Sequence, residues 1–272
     1  MSAPALKVMT ASATTSLGEV ALLLDRAPET SRRPVVLMIH GALRHSDLAV
    51  DWFPILADYD LVLADLPGHG RSPGTGPATV AAIATRLKEV IARHFRDRSI
   101  IVVGESIGGV IGLALADGSV RQILGVVALD PPLTMAKQWP VYANIIDRFA
   151  RYPDDDYLRV FAFDIFGIGA DGSLQERIYY DVVRNVRVPA LVLAGDIPLW
   201  PVSRRTVVPS LLDEADRHVI RQMGNAFVSL RTVHGAGHLY LAPPDAQCSE
   251  AILEFCAARL AGDDRNAARQ VS

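Results

Sequence analysis

The residues best placed to do chemistry form the pentapeptide Gly104-Glu105-Ser106-Ile107-Gly108, which cuts short an apolar run, Ile100-Ile101-Val102-Val103. A run of β-branched residues reads as a buried strand. The small residues that follow, Gly108, Gly109, Gly112, Ala114 and Ala116, read as a helix packed close to a sheet. A serine on so sharp a strand-to-helix turn has its hydroxyl lifted clear of the sheet, and the first N–H groups of the helix point at whatever the oxygen attacks. The flanking glycines leave room, because side chains there would collide with the neighbouring strand or helix. The chemistry such a turn supports is nucleophilic attack, although a glycine-rich turn with an idle serine has the same pentapeptide.

The elements that must position this serine alternate along the chain. Residues from Leu6 to Leu24 alternate weakly around Gly18 and suit an antiparallel hairpin at a sheet edge. Val35–Ile39 and Leu61–Ala64 are continuous apolar strands, and Val80 to Phe95 carries apolar residues at helical spacing. After the elbow helix come a strand at Ile123–Leu129, another ending in Gly195-Asp196, a last strand from Ala226 to Val233, and a closing helix from Pro244 to Leu260. This rhythm predicts an α/β protein with a mostly parallel, eight-stranded sheet, helices on both faces, and chemistry at the carboxyl ends of the strands. Between Leu133 and Val186 the rhythm breaks into an aromatic-rich stretch with little strand patterning, which reads as a helical cap (133–186) inserted into a single domain (1–272). Most of its aromatics are expected to pack the cap onto the core; Trp139, with Trp200 beyond it, is a candidate pocket wall. The polar tail after Gly262 is expected to be disordered.

Composition narrows the function classes. Half of the 272 residues are hydrophobic, enough for a large interior, and a formal net charge of −3 gives no electrostatic case for nucleic acid or an acidic membrane surface. The two cysteines, Cys248 and Cys256, lie too far apart on the closing helix to bridge to each other, which suits a reducing compartment. The start, Met1-Ser2-Ala3-Pro4-Ala5-Leu6-Lys7, lacks a basic region followed by an apolar one, and no run reaches membrane-spanning length. The expectation is a soluble, cytoplasmic protein. Asp154-Asp155-Asp156 reads as a solvated turn or helix start. No second cluster suggests a metal, so neither a metal nor a cofactor is expected.

Four motifs at strand ends carry a resemblance: His40-Gly41 after the third strand, Asp65-Leu66-Pro67-Gly68-His69-Gly70-Arg71-Ser72 after the fourth, the elbow at Ser106, and Gly237-His238 after the last. In type and order they resemble the α/β-hydrolase superfamily, over nearly the whole core and with only the cap unmatched. The resemblance implies Ser106 as nucleophile and His238 as the base that takes its proton. His40 and His69 lie in motifs that such proteins use structurally. His45, His94 and His218 lie in loops or on a polar helix face, and His234 precedes the glycine pair that bends the loop. Such enzymes usually carry the acid three positions past the glycine that ends the next-to-last strand, where this chain has Pro198. A minority place it at the end of the preceding strand, where Asp130 precedes Pro131-Pro132. Asp130 is the preferred acid and Asp196 the alternative. The implied oxyanion hole is the pair of backbone N–H groups of Ala42 and Ile107.

Three function classes follow. The first is a serine hydrolase cleaving an ester or lactone of a small, largely apolar substrate through an acyl-enzyme. The second is a cofactor-independent oxygenase or carbon-carbon bond lyase in which His238 is the base and the serine is dispensable. The third is a non-catalytic ligand-binding protein. A dehalogenase would need a carboxylate at the elbow, where this chain has serine. Oligomeric state and substrate identity are not legible.

Overall fold

The structure is a computed structural model that describes residues 8–200 and 207–271, with side chains through residue 263. Its eight strands are β1 (Met9–Thr15), β2 (Gly18–Leu24), β3 (Val35–Ile39), β4 (Asp60–Ala64), β5 (Ile100–Glu105), β6 (Ile123–Leu129), β7 (Ala190–Gly195) and β8 (Val228–Val233). They form one sheet in the order β1-β2-β4-β3-β5-β6-β7-β8. Antiparallel pairing is confined to β1–β2 and β2–β4, the hairpin edge; from β4 to β8 every neighbour is parallel. The predicted start of the hairpin at Leu6 lies outside the described residues.

The helices are α1 (Trp52–Ile55), α2 (Val80–His94), α3 (Ile107–Leu115), α4 (Trp139–Arg151), α5 (Asp156–Phe161), α6 (Tyr180–Arg184), α7 (Glu214–Met223) and α8 (Ala246–Val271), with a single π turn at Ala162–Phe166. Strands β3, β4, β5 and β7 are buried along their whole length, which is why they read as unbroken apolar runs. Alternation along each strand divides the core in two. Val35, Leu37, Ile39 and Val102 face α2 and α3, together with Ile145, Phe161 and Val183 from the segment between β6 and β7. Val36, Met38, Ile101 and Val103 face α1 and α8, where Trp52, Cys248, Ile252 and Cys256 are fully buried. Helix α2 starts where Thr79 caps it, its hydroxyl accepting from the Ala82 N–H at 3.2 Å.

Two expectations are corrected. The polar tail after Gly262 does not lose its structure: α8 continues to Val271, and the Asp263 carboxylate accepts a hydrogen bond from the Ser99 hydroxyl at 2.7 Å. That stretch is rich in alanine and arginine, good helix formers that carry a helix already nucleated by core packing. Trp139 and Trp200, read as pocket walls, are 41% and 65% exposed and pack on each other, ring centroids 6.4 Å apart. Reading 133–186 as a helical cap leaves open which way the Trp139 ring turns, and here it turns to the surface. Among the described residues no helix is long and apolar enough to cross a membrane.

Candidate active site

Parallel register brings the carboxyl ends of the strands to one edge. Ile39 pairs with Gly104, Glu105 with Leu129, Leu129 with Leu193, and Gly195 with Val233. The residues that follow those ends are therefore neighbours in space. Ser106 N–H donates to the Leu129 carbonyl at 2.8 Å and Asp130 N–H to the Leu193 carbonyl at 2.7 Å, so both extend the ladder by one step before the chain turns away.

The turn at Ser106 is strained, with φ 56° and ψ −122°. A Cβ at Gly104 would stand 2.1 Å from the Gly108 carbonyl oxygen, and one at Gly108 would stand 2.3 Å from that of Ile39. Only glycine fits at either position, which is the physical content of the pentapeptide. Ile107 is the first residue of α3, so its N–H has no acceptor inside the helix. The described non-glycine residues with positive φ are Leu43, Ser106 and Asp130. Leu43 and Ser106 line one cavity and Asp130 touches the histidine at its wall, so the strain is concentrated around a single point.

That cavity, about 240 Å³, is lined by Ser106 and His238 together with Gly41 and Ala42 of the loop after β3. Its far wall comes from α4, through Pro140 and Asn144. His238 sits on the loop after β8, held by its own N–H donating to the Val208 carbonyl at 2.8 Å. Its Nδ1 lies 2.5 Å from Asp130 Oδ2, and both side chains are almost completely enclosed. Because the facing carboxylate accepts, Nδ1 carries the proton and Nε2 keeps its lone pair.

Of the two candidate acids, Asp130 meets His238 and Asp196 does not. Asp196 is at the surface, where it accepts from Gly235 N–H at 2.8 Å and lies 3.1 Å from the ring of the exposed His234. Asp130 is fully buried and accepts two further hydrogen bonds, from the Ser210 hydroxyl at 2.5 Å and from Leu211 N–H at 2.8 Å. These braces come from a segment far along the chain, and no local pattern announces them.

Glu105 is a second group that sequence spacing left unread. It is buried beside the serine, accepts from Leu241 N–H at 2.8 Å, and pairs with Arg44 at 3.0 Å. Burial pushes its carboxyl up, while Arg44 and the Leu241 N–H pull it back. Leu241 is held from its other side as well, its carbonyl accepting from the Trp52 indole at 2.5 Å. The loop that carries His238 is thereby tied to β5 and to α1.

The other two motif histidines, His40 and His69, hydrogen-bond to backbone groups of the loops after β3 and β4. His40 accepts from Leu66 N–H at Nε2 (3.0 Å) and donates through Nδ1 to the Gly41 carbonyl (2.7 Å), and burial pushes its pKa down to about 3. His69 accepts from Leu43 N–H at 3.1 Å and is likewise lowered by burial. Both rings therefore serve as neutral spacers between loops. No group of three or more His, Cys, Asp or Glu that could hold a metal ion occurs among the described residues.

The arrangement therefore offers a strained serine, an imidazole with a free Nε2 and a buried carboxylate around one cavity. The model of the alpha/beta hydrolase family matches residues 36–251. Similar proteins include lipase LipV of Mycobacterium tuberculosis, 33% identical over 119 residues that make up 44% of this chain and 44% of that protein. The chain thus spans less than half the length of that relative. A pimeloyl-[acyl-carrier protein] methyl ester esterase of Sodalis glossinidius is 29% identical over 72% of this chain and 76% of its own. Among solved structures, naproxen esterase of Bacillus subtilis superposes with a TM-score of 0.62 at 18% identity, over 92% of both chains. With a match that runs from β3 through the elbow and past the histidine loop, the chain belongs to the alpha/beta hydrolase family.

Proposed function

We propose that this protein is a serine hydrolase that cleaves an ester or lactone of a small substrate through an acyl-enzyme. The carrying observation is the Asp130–His238 contact on the wall of the cavity that Ser106 also lines. In this reading Ser106 Oγ attacks the substrate carbonyl and gives its proton to His238 Nε2. The N–H groups of Ala42 and Ile107 receive the oxyanion as the carbon becomes tetrahedral. Collapse breaks the bond to the alkoxy group, which leaves as the alcohol with the proton from His238. Water then repeats the sequence on the acyl-serine, and Asp130 faces the imidazolium at each stage. The segment between β6 and β7 acts as the cap, its helix α4 closing the cavity opposite the serine.

The names of the relatives support ester chemistry: one is a lipase and the other a methyl ester esterase. The test is labelling with a fluorophosphonate together with turnover of short p-nitrophenyl esters and lactones. Covalent labelling lost in Ser106→Ala, with at least a thousandfold loss of turnover, is the expected result. A folded protein that resists the reagent, or turnover that survives in Ser106→Ala, defeats this reading; survival would favour the oxygenase or lyase alternative.

A further inference from the structure

Helix α4 presents Pro140, Asn144 and Arg148, spaced four apart, as one stripe facing the cavity. The solvent-exposed Asp147–Arg151 pair, 2.8 Å apart, borders that stripe on the same side of the helix, so the Asp147 carboxylate is already matched by Arg151. Arg148 is only partly exposed, yet among the described residues its guanidinium has no hydrogen-bond or ion-pair partner. Its neighbour Arg44 is fully engaged: it pairs with Glu105 at 3.0 Å, donates to the Ala242 carbonyl at 3.0 Å and lies 5.0 Å over the Tyr240 ring. Arg148 also lines an adjoining cavity of about 260 Å³, where the carboxylate present is Asp155, already accepting from Leu158 N–H at 2.9 Å as the cap of α5.

Resting on the serine hydrolase reading, we propose that Arg148 is a specificity-determining residue and that the substrate is an ester bearing a carboxylate away from the scissile bond. A guanidinium drawn partly out of water without a counter-ion is poorly compensated, and its planar fork matches a carboxylate with two parallel hydrogen bonds. The rest of the cavity offers an anion no better site, because the Arg44 charge is matched by Glu105. Asp155 repels an anion that reaches farther, so the carboxylate stops at Arg148. The reacting ester carbonyl lies at Ser106, and the charged end points toward the cap.

The test compares esters that differ in charge: monomethyl with dimethyl adipate for a carboxylate on the acyl side, and 4-carboxyphenyl acetate with phenyl acetate for one on the leaving side. Each is run with the wild type, Arg148→Met and Arg148→Lys. In at least one pair, kcat/KM for the charged ester is expected to fall about ten- to a hundredfold in Arg148→Met, mainly through KM. The neutral partner should stay within about twofold, and Arg148→Lys should restore part of the loss. Equal loss on charged and neutral esters, or no loss on either charged ester, overturns the proposal. Calorimetric titration of Ser106→Ala with monomethyl adipate and 4-carboxyphenyl acetate reads the anion site without turnover. Binding lost when Arg148→Met is added supports the site even if the serine reading fails; binding unaffected by it, or undetectable for both compounds, counts against the site even if the serine reading holds.

Discussion

Replacing Asp130 by asparagine separates the charge of the acid from its geometry. Asp130 Oδ2 faces two donors, His238 Nδ1–H and Leu211 N–H, whereas Oδ1 faces the Ser210 hydroxyl. An amide must turn its NH2 toward one side. Turned toward Ser210 it finds an acceptor, because the hydroxyl can redirect its own proton to the Leu212 carbonyl 3.2 Å away. Turned the other way it would meet the Leu211 N–H head on. The amide oxygen therefore stays on His238, and the imidazole keeps the tautomer that leaves Nε2 free. What disappears is the carboxylate charge facing the imidazolium. For charge centres about 4 Å apart at an effective dielectric constant near 20, that attraction is about 4 kcal/mol, an upper limit of about a thousandfold. Asp130→Asn is thus expected to lower kcat/KM on p-nitrophenyl acetate by about a hundred- to a thousandfold. Ser210→Ala, which removes the acceptor for the NH2, should cost about ten times more in the Asp130→Asn background than alone. Asp196→Asn should stay within about twofold. If Asp130→Asn falls as far as Ser106→Ala, or if Ser210→Ala costs the same in both backgrounds, the reasoning about the amide orientation is wrong.

Two further outcomes follow from burial and strain. His40, kept neutral down to about pH 3 in the fold, leaves the unfolded chain to take up the proton below about pH 6.5. It therefore costs about 1.4 kcal/mol of stability per pH unit as pH falls from 6.5 toward 3, and nothing above that window. Urea unfolding between pH 7 and pH 4.5 should show this part of the slope missing in His40→Gln, and an unchanged slope would refute it. At Ser106, where φ is 56°, glycine relieves a conformation that any side chain strains. Ser106→Gly should unfold about 1 kcal/mol later than Ser106→Ala in denaturant, both being inactive, and equal stability would show the turn to be relaxed.

The parts of the site that were legible in the sequence are those whose constraint is local. The glycines around Ser106 are required by contacts across a single turn, so the pentapeptide carries its own geometry. The strands announce themselves because a sheet covered on both faces needs unbroken apolar runs. The position of Asp130 before Pro131-Pro132 makes it the preferred acid in the sequence, but which carboxylate meets His238 depends on the register of β6 against β7 and the bend of the loop after β8, neither of which leaves a trace in residue types. Ser210 and Glu105 act across 80 and 136 positions of chain; although Glu105 lies inside the pentapeptide, nothing near either residue names the partner it reaches. Trp139 shows the converse failure: a large aromatic on an amphipathic helix invites a pocket role that the rotation of the helix denies.

The tie between Trp52 and Leu241 gives the histidine loop an optical label. The chain has three tryptophans, and of these Trp52 is fully enclosed while Trp139 and Trp200 are open to solvent. A water-soluble quencher such as iodide silences the outer two and leaves the blue emission of the inner one. Any event that loosens the segment after His238 must release the indole N–H from its carbonyl, and the wavelength of that residual light would register the opening without a reporter being added to the protein.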